Sequence, residues 1–174
     1  MSLATGIRIA LIVFVVAIFQ VSAFSSVKVG GGGPDALLVT LVSIALLRGA
    51  ITGAIAGFAA GFLVDVTTLG TLGLTSLLLT LAGYWVGRYG ETTGRDRLYA
   101  PLVASVAATL LFELGGYGLH AMLGESIAAR TVLVAVPAAV ICNALLAYPV
   151  FGLTRRLIGT TERIERTREV ELLV

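Results

Sequence analysis

The chain has 174 residues, room for one domain, of which 57% are hydrophobic and only 13% charged. A soluble domain carries about a quarter charged residues, so this composition, with a mean hydropathy of +1.00, excludes water as the solvent and points to lipid. The net charge of +2 does not make a nucleic-acid face, because the basic residues fall between apolar runs, as they do when they orient a membrane protein. One cysteine, Cys142, excludes an intrachain disulfide and a cysteine metal site, and the one histidine, His120, has no zinc or Ser-His-Asp motif around it.

A spanning helix needs about 20 mostly apolar residues, since the hydrocarbon core is about 30 Å thick and each residue rises 1.5 Å. The first such run is Ile7 to Phe24. Arg8, the apolar stretch and Val21-Ser22-Ala23 have the layout of a signal peptide. Removing them would leave five spans and put the basic tail on the wrong side, so a retained helix is expected. Gly30 to Gly33 then form a flexible strip without the GK[ST] of a phosphate loop. Pro34-Asp35 reads as a helix start, with Asp35 facing the positive end of the helix dipole.

The next apolar run, Asp35 to Asp65, is broken only at Arg48-Gly49. As one helix it would be about 45 Å long, with Arg48 in mid-membrane at a cost of at least about 2.5 kcal/mol. A split there gives two short spans in a tight hairpin and lets Arg48 snorkel to the interface. The split also sets the parity. With six spans and a cytoplasmic N-terminus, ten of the twelve basic residues lie inside and only Lys28 and Arg130 outside. Five spans would place Arg155-Arg156 outside, against the positive-inside rule.

The expected spans are 7–24, 35–47, 50–66, 71–88, 99–122 and 131–153, forming a transmembrane domain over 1–154. A charged cytoplasmic tail follows over 155–174, in which Glu162 and Arg166 are spaced for an i, i+4 pair. Gly90 to Arg97 is the main cytoplasmic loop between spans, too short to hold a domain.

Gly49, Gly53, Gly57 and Gly61 recur every four residues, Asp65 continues the series, and Gly83 and Gly87 repeat it in the fourth span. This small-xxx-small pattern lets helices approach closely in lipid. It packs helices within one subunit or presents a docking face to a partner's membrane helix. Glu113 and Asn143 are polar residues inside spans, about 21 Å and about 15 Å from the cytoplasmic end by helical rise, close enough in height to pair. Glu113 then has a structural role, or a ligand or proton role. Asp35 and Asp65 are expected at the outer interface, with Arg130 on the same side. Two carboxylates there suggest an acid/base dyad, but neither GxGD nor GxSG accompanies them, so helix-end aspartates are the expected reading.

A set of elements in order carries a family resemblance: Gln20-Val21-Ser22, Pro34-Asp35, Arg48-Gly49, the glycine-stepped helix ending at Asp65, and Gly70-x-x-Gly73. Gly83-Tyr84, Glu113, and Asn143 with Pro149 complete it. Over positions 5 to 157 the chain resembles the MreD family of bacterial rod-shape-determining membrane proteins. The resemblance implies an all-α integral membrane protein of six transmembrane helices, with a fold similar to the substrate-binding subunits of energy-coupling-factor transporters. It also implies a non-enzymatic, cofactor-free part of the elongasome in the inner membrane, with both termini cytoplasmic. The implied partner is MreC-like, acting with MreB, RodA and a penicillin-binding transpeptidase in lateral peptidoglycan synthesis. The chain departs from the family in its Gly30 to Gly33 loop and its longer charged tail. The competing reading is a vitamin-like small-molecule-binding transporter subunit, motivated by the helix count and Glu113. A membrane enzyme ranks third, for want of a nucleophile, base and orienting group together.

Overall fold

The computed structural model describes residues 3–23, 33–68, 71–93, 99–124 and 129–158. Lys28, Gly30 to Gly32, Gly70, Arg95, Arg97, the Arg130 side chain and the tail beyond Ile158, including Glu162 and Arg166, lie outside the described residues.

The described chain is helical: α1 (Leu3–Ala23), α2 (Ala36–Arg48), α3 (Ala50–Thr68), α4 (Leu74–Thr93), α5 (Ala100–Met122) and α6 (Ala129–Ile158). Four segments are long and apolar enough to cross a membrane: Thr5–Ser22, Ala50–Thr68, Ala100–Met122 and Val132–Ile158. Of the other two helices, α2 has the 13 residues expected of it and is about 20 Å long, shorter than the hydrocarbon core. Helix α4 starts at Leu74 and runs through Arg88 and Glu91 to Thr93, into the segment expected to be a loop. Helix α6 likewise continues past position 153 and takes Arg155 and Arg156 into its last turn.

The bundle is organised around α2. Every residue from Leu37 to Leu47 is buried, and α2 packs against each of the other five helices. A helix that is apolar all round belongs in an interior. Arg48-Gly49 breaks the chain as expected: Gly49 sits at φ 92, ψ 179, a conformation that favours glycine, and its N–H donates to Ala45 O at 2.8 Å.

The most extensive helix pairing is α3 with α4. Gly53 and Gly83 face one another so closely that a Cβ on either would overlap the other's backbone carbonyl. Gly57 lies on the backbone of Leu79, Gly61 on that of Ser76, and Gly87 on that of Ala50. The glycine stripe is therefore consumed inside the subunit. The alternative expectation, a docking face for a partner's helix, is overturned for Gly53, Gly57, Gly61, Gly83 and Gly87.

Large apolar side chains point outward instead. Ile7, Leu11, Phe14 and Ile18 form an exposed stripe on α1, Ile51, Ile55, Phe58 and Phe62 one on α3, and Leu133, Ile141 and Leu145 one on α6. Inside lie the leucines and isoleucine of α2, alanines of the other helices, and Thr40, Ser43, Asp65, Ser76, Ser105, Thr109 and Asn143. So many large apolar groups on the outside would aggregate in water, and suit a helix bundle in lipid.

Candidate functional site

Because α2 starts inside the bundle, its first N–H groups cannot reach water and must find partners among side chains. Three residues supply them. The Asp35 N–H donates to Asn143 Oδ1 at 2.8 Å, the Ala36 N–H to Gln20 Oε1 at 3.0 Å, and the Leu38 N–H to Asp35 Oδ1 at 2.9 Å. Asp35 is thus an N-cap. Gln20 Nε2 donates back to Pro34 O at 3.4 Å. Asn143 Nδ2 donates to Thr109 Oγ1 at 3.1 Å, and the Thr109 hydroxyl donates to Ser105 O at 2.7 Å. One hydrogen-bonded layer joins α1, α2, α5 and α6.

This layer corrects one expectation. Asn143 does not pair with Glu113; its amide is occupied by Thr109 and the start of α2. Asp35 meets Asn143 near the middle of the 30-residue α6, about 20 Å from either end. Gln20 and Thr109 carry as much of the layer as Asn143 does, and the sequence had singled out neither as a site residue. The signals for Gln20 were an amide inside an apolar run and its place in the Gln20-Val21-Ser22 element of the family resemblance.

Asp65 belongs to a separate arrangement. Its carboxylate, buried at 2% exposure, accepts from the N–H groups of Gly73 at 2.8 Å, Ser76 at 3.2 Å and Thr75 at 3.3 Å. It caps the start of α4 from the end of α3. At the opposite end Glu91 of α4 returns the favour, accepting the Ala50 N–H of α3 at 2.9 Å while pairing with Arg88 at 3.4 Å. Asp35 and Asp65 share no hydrogen-bond partner among the described residues, and each is a helix cap, which is against the dyad. Arg48 does not simply snorkel: its Nη2 donates to Ile158 O at 2.6 Å, so the last residue of α2 caps the end of α6. The backbone of Arg130 lies in the first turn of α6.

Glu113 stands apart from both networks. It is half-buried and makes no hydrogen bond among the described residues. It lines a cleft of about 300 Å³ between α4, α5 and α6, with Thr75, Leu78, Gly116, Tyr117 and His120 around it. Glu113, Tyr117 and His120 follow the i, i+4, i+7 spacing of one helix face. His120, dismissed in the sequence for lack of a motif, comes to the Glu113 cleft through that spacing. Among the described residues no group of three or more His, Cys, Asp or Glu could hold a metal ion.

The family model for the rod shape-determining protein MreD matches residues 3–157, a stretch that runs from α1 through nearly all of α6. The chain belongs to the MreD family. No curated protein and no solved structure matches it, so the expected similarity to energy-coupling-factor subunits gains no support. MreD membership and four apolar helices of spanning length make this a membrane protein with a role in determining rod shape. The MreD family is one of structural, shape-determining proteins, and what the polar layer and the caps do chemically agrees with that: they fix helices in register.

Proposed function

We propose that this protein is a non-enzymatic subunit of the bacterial cell-wall elongation complex, supporting lateral peptidoglycan synthesis by binding an MreC-like membrane protein. The observation that carries the proposal is the MreD match over the whole described bundle. The use of Asp35, Asp65, Glu91 and Asn143 as caps and bridges agrees with it, because a scaffold needs a fixed surface and these groups supply one. MreB, RodA and a penicillin-binding transpeptidase are further partners in this reading. The protein sits in the inner membrane with six crossings, a transmembrane domain over 1–154, a charged tail over 155–174, and both termini in the cytoplasm. Its basic residues support that orientation through the positive-inside rule.

The test is depletion in a rod-shaped host together with affinity purification of the tagged protein from its own membranes. Rounded cells and recovery of a one-span MreC-like protein are expected. Rods of normal width after depletion would refute the role in shape, and purification without such a partner would refute the binding.

A further inference from the structure

The cleft around Glu113 is not explained by helix packing. The glycines of α3 and α4 lie on opposing backbones, but at Gly115 and Gly116 of α5 an added Cβ would meet only methyl groups of Leu78, at 2.7 Å and 3.7 Å. Gly116 lines the cleft of about 300 Å³, and a glycine there gives up helix propensity while leaving that space open.

Its chemistry is one-sided. Glu113 lines it without a hydrogen-bond partner among the described residues. No lysine or arginine is among the described lining residues, and Tyr117 and His120 sit one and two turns further along α5. A carboxyl without a partner in a low-dielectric setting either keeps its proton or pairs with a cation. Thr75 apart, the rest of the lining, Leu78 included, is apolar and suits a short hydrocarbon stem.

We propose that this cleft binds a protonated primary amine, with the ammonium on the Glu113 carboxylate and its alkyl stem along Leu78 and Gly116. The amine belongs to a soluble alkylamine or to the headgroup of phosphatidylethanolamine. The proposal is independent of the role in wall elongation and stands on the cleft alone.

The full-length protein is reconstituted in nanodiscs of phosphatidylcholine and phosphatidylglycerol, and n-hexylamine is titrated in, with n-hexanol and hexanoate as controls. Saturable binding of the amine alone is expected. Glu113→Gln weakens it by at least about 30-fold, the scale for removing one partner of a desolvated charge pair. Gly116→Leu fills the cleft and abolishes binding, while the unliganded protein melts as the parent does. In nanodiscs containing phosphatidylethanolamine, loss of hexylamine binding assigns the site to the lipid headgroup, and unchanged binding assigns it to a soluble amine. The proposal is overturned if hexylamine shows no saturation, if hexanol binds equally, or if Gly116→Leu binds as the parent does.

Discussion

Asn143 is worth more to this protein than one side chain ordinarily is, because it joins three helices at once. It accepts from the N–H of Asp35 and donates to Thr109 of α5. Replacing it by leucine keeps the volume but strands a buried N–H and a buried hydroxyl oxygen. Leaving one such group unpaired costs about 1–3 kcal/mol. Asn143→Leu therefore lowers the thermal unfolding midpoint in detergent, and Thr109→Val lowers it less, since the Asp35 N–H keeps its bond to Asn143 and the bond to Ser105 O that is lost lies within α5. Equal midpoints for Asn143→Leu and the parent would remove the layer from any account of stability. Asp35→Asn is expected to be nearly neutral, because asparagine caps a helix about as well as aspartate, whereas Asp35→Ala costs about 1 kcal/mol. If Asp35→Asn were the worse of the two, the negative charge itself, and not the cap, would be what matters there.

At the scale of elements, the α3–α4 hairpin is the most constrained unit. Its backbones touch at Gly53 and Gly83, and carboxylates cap it from both ends. Gly83→Val must drive the helices apart, since the added Cβ meets the Gly53 carbonyl rather than a movable side chain. Loss of the folded, monodisperse protein on size exclusion in detergent is expected. Gly118→Ala, in open space, is expected to stabilise α5 by about 0.5–1 kcal/mol. These paired outcomes separate packing glycines from the rest. The four-residue spacing was legible in the sequence, and so were the helix break at Arg48-Gly49 and the polar residues within spans. The partners were not. Spacing along one helix says that a face is small, but not which helix lies on it. Helix length counted in residues also cannot say that α2 starts within the bundle, and from that buried start follow the cap at Asp35 and the roles of Gln20 and Asn143.

At the scale of the whole molecule the open quantity is how many times the chain crosses the membrane. Four segments reach the length and apolarity of a span. The 13-residue α2 does not, yet it is sheathed by the other five helices and needs no contact with lipid along its length. A helix surrounded by protein can close a crossing with fewer residues, because the groups at its buried end are bonded to side chains rather than exposed to hydrocarbon. Helix α4 lies along α3 with Arg88 and Glu91 at the end where α3 begins, which places those charges beside Arg48 and the end of α6. Both short or polar helices thus bring their basic residues to one end of the bundle, the arrangement the positive-inside rule expects if that end is cytoplasmic. Single cysteines placed in a Cys142→Ser background decide the matter by labelling intact spheroplasts with a membrane-impermeant maleimide. Gly31→Cys, Thr71→Cys and Gly124→Cys are expected to react from outside, while Ser2→Cys, Asp96→Cys and Thr161→Cys react only after the membrane is permeabilised. Labelling of Thr161→Cys with protection of Ser2→Cys would make the number of crossings odd. The arginines of α6 would then face outward, against the charge rule from which the orientation is argued.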